Sequence, residues 1–206
     1  MNYLAHALLA GPQPASRLGG MLGDFVKGPL DSMSPRFPPE VVAGIALHRR
    51  IDSFADGHAA FRRSRNRVSS LRRRFSGVMV DMFYDHFLAR QWSGFCAQAL
   101  EVFTADTYAL LTCNHMLLPA RLAEALPRMR GDDWLASYRS IEAVGKALDR
   151  MARYRLRREN PLAGAVEELQ ADYASYDADF RIFFADALVF SEARRATSPG
   201  AAGELP

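Results

Sequence analysis

Cysteine is scarce in this chain of 206 residues: there are two, Cys96 and Cys113, and neither belongs to a Cys-x-x-Cys motif. That argues against a thiolate zinc site and fits a reduced, cytoplasmic setting. Long apolar runs are also missing. Nothing approaches the roughly 18 uninterrupted apolar residues of a membrane span. The segment Met1 to Gly11 has no basic n-region and places His6 inside its apolar run, so no secretory signal is expected. There is no alternation of β-branched residues, no hairpin signal and no internal repeat, which leaves little from which to build a sheet. P-loop, Gly-x-Ser-x-Gly and dinucleotide fingerprints are absent, so a serine or cysteine nucleophile has no support. Acids are missing from one segment. Between Phe61 and Phe75 stand seven arginines (62, 63, 65, 67, 72, 73 and 74) and no acid. Such a patch calls for an anionic partner: nucleic acid, an acidic protein or phosphate.

What is present is ordinary globular composition, 49% hydrophobic and 24% charged with a net charge of +3. The periodicity is helical throughout. Pro39 sits at the favoured first position of a clear helix that Gly57 ends. Short helices are expected over Asn2 to Ala10, and over Arg17 to Val26 with Ser16 as cap. Further helices are expected from Gly77 to about Trp92, from Ala97 to Met116, from Pro119 to Met129 and from Trp134 to about Tyr154. Pro161 opens a long amphipathic helix to near Arg194. The fold class expected is all-α: a single-domain bundle of about seven or eight helices over residues 1–195, with 196–206 as a frayed C-terminal tail.

The chemistry-bearing residues concentrate in the first half. They are His6, Asp24, His48, Asp52, Asp56, Asp81, Asp85 and His86. His48 with Asp52, and Asp81 with Asp85, are four apart and share helix faces that are otherwise apolar. His86 lies about 100° further round from Asp85. Buried carboxylates must be paired, hydrogen-bonded or bound to a metal. A mixed imidazole–carboxylate set suits manganese, iron, magnesium or zinc. A metal in such a site lowers the pKa of water and polarises a phosphoryl oxygen, as hydrolysis of a phosphate ester requires. Arg49 or Arg50 could then neutralise the phosphate.

Blander readings stand beside this one. Asp52 and Asp56 could pair with neighbouring arginines on a solvated surface, His86 could be a core histidine bonded to a carbonyl, and His6 could merely tie down the first helix. His58, after a helix-ending glycine, suits a capping role. The arginine run could be a solvated face, or the binding surface of a helical nucleic-acid module. A phosphohydrolase acting on nucleotides or another phosphodiester is a further alternative.

Several ordered motifs point one way. Met1-Asn2-Tyr3-Leu4-Ala5-His6, Gly23-Asp24-Phe25-Val26-Lys27-Gly28 and Val42-Ala43-Gly44-Ile45 come first. They are followed by Leu47-His48-Arg49-Arg50-Ile51-Asp52 with Asp56, and by Asp81-Met82-Phe83-Tyr84-Asp85-His86-Phe87-Leu88 with Trp92. Together they resemble the acyl carrier protein phosphodiesterase family, sharply over residues 1–92 and loosely to about 190 through Trp134-Leu135 and Tyr138. The resemblance implies a divergent, HD-domain-like branch of the all-helical HD phosphohydrolases, although the chain has no His-Asp dipeptide. It implies hydrolysis of the phosphodiester joining phosphopantetheine to a serine of acyl carrier protein, with a divalent metal, typically manganese, and magnesium or iron as alternatives. On that basis the expected metal ligands are His6, Asp24, His48, Asp52, Asp81, Asp85 and His86. Arg49 is expected as the phosphate clamp, with Asp24 and Asp56 as further catalytic groups. The acidic carrier protein is expected to dock on the basic segment Arg62 to Arg74; neither membrane nor nucleic acid is the favoured partner.

Overall fold

The computed structural model describes residues 2–33, 35–154 and 160–197. Among these the fold is all-α, without a strand. Eleven α-helices follow in order: α1 (Tyr3–Leu9), α2 (Pro14–Leu22), α3 (Pro39–Gly57), α4 (Ala59–Arg67), α5 (Ser76–Arg90), α6 (Leu100–Cys113), α7 (Ala120–Gly131), α8 (Trp134–Ser137), α9 (Ile141–Tyr154), α10 (Val166–Ala171) and α11 (Tyr173–Ala196). Short 3-10 turns punctuate them at Leu30–Met33, Arg73–Phe75, Trp92–Gly94 and His115–Leu117. No helix of the described residues is long and apolar enough to cross a membrane.

The helices are more numerous than expected because two long periodic stretches are divided and the arginine segment adds α4. The stretch after Pro161 breaks at Asp172, whose φ of −132° and ψ of 40° are not helical, so α10 and α11 are separate. The stretch after Asp133 breaks between α8 and α9. Helix α2 starts earlier than expected, with Pro14 in its first turn, while Ser16 donates its hydroxyl to the Ala10 carbonyl instead of capping. Most of the expected tail lies outside the described residues.

One hydrophobic core runs through the bundle. Helix α5 is buried on most of its circumference, with Met79, Val80, Phe83, Tyr84, Phe87 and Leu88 all inside. That is the pattern of a central helix. Against it packs the aromatic stripe of α11. Phe180 meets Tyr84 edge-on with ring centroids 5.5 Å apart, and Phe183 meets Phe61 at 5.5 Å. Such ring pairs add to plain area burial.

The crossing of α2 and α3 sets up the functional site. It is close because two glycines face each other. A Cβ on Gly19 would lie 2.3 Å from the Val41 carbonyl oxygen and 2.7 Å from the Gly44 Cα, and one on Gly44 would lie 2.5 Å from the Ser16 carbonyl oxygen. The backbones therefore touch where any side chain would separate them. Gly23, at the end of α2, completes the approach: its Cβ would lie 2.2 Å from the His48 ring.

Candidate metal centre

Three elements converge on one point. Helix α1 brings His6, the end of α2 brings Asp24, and the middle of α3 brings His48 and Asp52. The imidazoles of His6 and His48 stack, with centroids 3.6 Å apart and planes 17° from parallel. His6 Nε2 lies 3.1 Å from Asp52 Oδ1, and His48 Nε2 lies 3.2 Å from Asp52 Oδ2 and 3.6 Å from Asp24 Oδ1. One ligand atom each from His6, His48 and Asp52 falls within 4.8 Å of the others. Both imidazoles are buried, while the two carboxylates are 40% exposed and look into a cavity.

Each ring is oriented from behind. His48 Nδ1 donates to the Gly20 carbonyl at 2.8 Å, which fixes the ring and turns Nε2 toward the carboxylates. His6 is positioned through its helix. Asp85, fully buried on α5, accepts the backbone N–H groups of Leu4 and Ala5 at 3.0 Å each. Asn2, the N-cap, makes no side-chain cap bond, so Asp85 performs that task from another helix.

The electrostatics ask for a positive charge between the acids. Burial alone would lower His48, but the hydrogen bonds it donates to Asp24 and Asp52 outweigh that and raise its pKa to about 9. Burial, reinforced by the neighbouring His48, pushes His6 down to about 4. Asp52 is held well below the usual carboxylate range: burial raises it, but hydrogen bonds from His48 and His6 prevail. Asp24 is lowered in the same way by His48. A proton on His48 Nε2 meets the demand here, and a cation in the same place would meet it too. His6 Nδ1, meanwhile, is buried with no hydrogen-bond partner among the described residues. The two-histidine, two-carboxylate donor set suits manganese, iron or magnesium.

A cavity of about 280 Å³ opens beside the cluster, lined by Asp24, Lys27, Arg49 and Asp52 among others. Arg49 donates from Nη1 to the Gly28 carbonyl at 2.8 Å and from Nη2 to the Val26 carbonyl at 3.0 Å. It thus holds the loop that carries Lys27. That lysine is a site residue that pattern reading missed; its only signal was its place in the Gly23–Gly28 motif.

The other expected residues divide. Asp81 stays near: burial pushes its carboxyl up, and the charges of Asp52 and Asp24 push the same way. Asp85 does not join the cluster, since both its oxygens cap α1; burial raises its carboxyl to about 7 against the pull of those two amides. His86 faces elsewhere. Its Nδ1 donates to the Tyr138 carbonyl at 2.8 Å and its Nε2 lies 2.9 Å from the Tyr173 hydroxyl, so it is a satisfied core histidine. Asp56 is exposed and pairs with Arg65 at 3.0 Å, away from the cavity. His58 caps α4, accepting from the Ala60 N–H, as a capping histidine should.

The arginine run also changes meaning. Arg63 and Arg67 bind the buried Asp179 at 2.7 and 3.3 Å. Arg72 binds Glu168 at 3.1 Å and donates to the Pro161 and Ala163 carbonyls. With Arg65 on Asp56, most of this charge is matched inside the molecule, mainly to α10 and α11. It is a poor candidate for the docking surface of an acidic partner or for a nucleic-acid interface.

Fold and site together define an all-helical protein with a buried histidine–carboxylate centre at the edge of a cation-lined cavity. The comparisons with known proteins narrow this. The family model described as acyl carrier protein phosphodiesterase matches residues 1–187, and the chain belongs to that family. Proteins named acyl carrier protein phosphodiesterase are similar to it along most of its length. The one from Serratia proteamaculans is 33% identical, with 89% of this chain and 94% of that protein covered. The one from Photorhabdus laumondii is 30% identical, with 89% and 91% covered. One from Escherichia coli O45:K1 is 35% identical, with 89% and 94% covered. No solved structure matches the chain.

Proposed function

We propose that this chain is a metal-dependent phosphodiesterase that removes phosphopantetheine from holo-acyl carrier protein and leaves the apo form. The observation that carries the reading is the convergence of His6, Asp24, His48 and Asp52 from three separate elements. The names of the relatives supply the substrate.

His6, His48, Asp24 and Asp52 would hold the metal, with manganese favoured. When bound it would acidify water and offset phosphate charge. The chain's own groups do the rest. Gly20 and Asp85 hold the two imidazoles in register, the first directly and the second through α1. Arg49 keeps N–H groups beyond the two given to loop carbonyls, and with Lys27 it neutralises the diester in the cavity. Asp81, whose carboxyl is pushed up by burial, is the candidate proton carrier next to the cluster. In the reaction a water oxygen bonds to phosphorus and the phosphorus–oxygen bond to the carrier serine breaks. The serine oxygen takes a proton, and the second product is 4′-phosphopantetheine.

The test is to incubate the purified chain with holo-acyl carrier protein and manganese and follow the carrier by mass spectrometry. Conversion to the apo mass is expected, and chelation should stop it. Intact holo carrier after prolonged incubation with fully metallated protein would overturn the assignment.

A further inference from the structure

A second, larger cavity of about 750 Å³ lies on the other side of the segment that carries Asp24. Residues 23–26 border both: Asp24 and Val26 line the polar cavity, while Phe25 between them lines the large one. Phe25 stacks on Tyr3 with centroids 5.9 Å apart, so the wall is built from α1 and the end of α2, the same pieces that deliver His6 and Asp24. Met82, directly after Asp81, forms another part of that wall and takes a hydrogen bond from Asn2. The far side comes from α7, α8 and α9.

The size falls within the range of cavities that bury small ligands, about 300–1,000 Å³. Its lining mixes sulfur and aromatic surface, from Met129, Met151, Trp134 and others, with the cationic donors Arg121, Lys146 and Arg150. Arg150 lies over the Trp134 ring at 4.9 Å. The acid on the wall, Asp132, is engaged by the Trp134 indole N–H at 3.3 Å. A largely apolar chamber with cationic donors and a matched acid suits a long chain with carbonyl acceptors and an apolar or sulfur end. It does not suit a metal.

We infer that this cavity is the subsite for the pantetheine arm of the substrate, seating its amides and thiol end while the phosphate lies at the histidine–carboxylate centre. The inference rests on the function proposed above and adds where the arm is held. Ala125 on α7 and Ala147 on α9 are half-buried on the cavity wall, so an indole at either position would fill the space from the side.

The experiment uses the full chain, native and Ala147→Trp, with Ala125→Trp as the second variant in case the first disturbs folding; circular dichroism checks each. Pantetheine itself, which has no phosphate, is titrated calorimetrically without metal. The native chain should bind it, Asp52→Asn should bind it equally well, and each cavity variant should bind at least about tenfold more weakly, a difference of about 1.4 kcal/mol. With holo-acyl carrier protein and manganese, the variants should raise KM by a similar factor while kcat stays within about threefold. Absence of pantetheine binding by the native chain, or binding untouched in both folded variants, overturns the inference. Those results say nothing against the phosphodiesterase assignment, which fails separately if native turnover of the holo carrier is absent.

Discussion

Two clusters of opposite charges lie one after the other along α3 and the segment that follows it, and they differ in one respect that decides their roles. At the arginine cluster the inward-facing donors meet acceptors: Asp179 holds Arg63 and Arg67, Glu168 holds Arg72, and Ser64 joins Asp179 to the Tyr84 hydroxyl. At the histidine cluster a buried nitrogen of His6 has no partner among the described residues, two carboxylates face a cavity, and both acids raise the pKa of His48 against its burial. The first arrangement is saturated and holds α4 to α11. The second has valence left over, and that is where binding and chemistry belong.

The comparison can be broken most directly at Asp52. Asp52→Asn removes the carboxylate that touches both imidazoles, and turnover of holo-acyl carrier protein should fall by about 10²–10⁴-fold with the helical fold retained. A variant with native turnover would mean the cluster is merely structural. Gly23→Ala is the next step down, since its methyl would meet the His48 ring at 2.2 Å. Displacing that ring should weaken manganese binding by about 10–100-fold, read by titration calorimetry. The arginine side should answer in the opposite currency. Asp179→Asn is expected to cost about 1–3 kcal/mol in chemical denaturation, because a buried charged acceptor is lost, while KM and kcat stay put. A change in KM for the carrier would restore the docking role of Arg62 to Arg74.

The smallest effect is a pH dependence. Glu168 titrates below its ordinary value: burial raises it, but Ser69 and Arg72 prevail. Its contribution is therefore fully present above the unfolded pKa of 4.5 and disappears as pH falls through the lower folded value. Native protein and Glu168→Gln should differ in stability near about pH 6 and converge toward about pH 3, again by denaturation. A gap that stays constant with pH would mean the contacts of Glu168 owe nothing to its charge.

Much of this was legible in advance. Helix α3 runs from Pro39 to Gly57 as its proline and glycine announce, and the His48–Asp52 spacing placed both on the inward stripe. Asp24, His6 and the all-helical class were also readable. Asp85 and His86 were not, because spacing within a helix shows which residues share a face but not what that face meets. One turn beyond Asp81 the same stripe reaches the N-terminus of α1, and the next residue round reaches Tyr138 and Tyr173. The partners of Arg63, Arg67 and Arg72 lie about a hundred residues downstream, where local periodicity carries no information. The large cavity was invisible for the same reason: its walls come from both halves of the chain.

The anchoring of α1 has a consequence for how activity is acquired. Seven residues are too few to hold a helix unaided in water. His6 is thus presented only once Asp85, eighty-odd positions later in the chain, has folded into place beneath Leu4 and Ala5. Partly folded molecules that retain α2 and α3 would possess three of the four ligands, without His6, and a weakened affinity for a cation. Metal uptake then reports on completion of the whole bundle, and a tightly bound ion would in turn resist the detachment of its first helix.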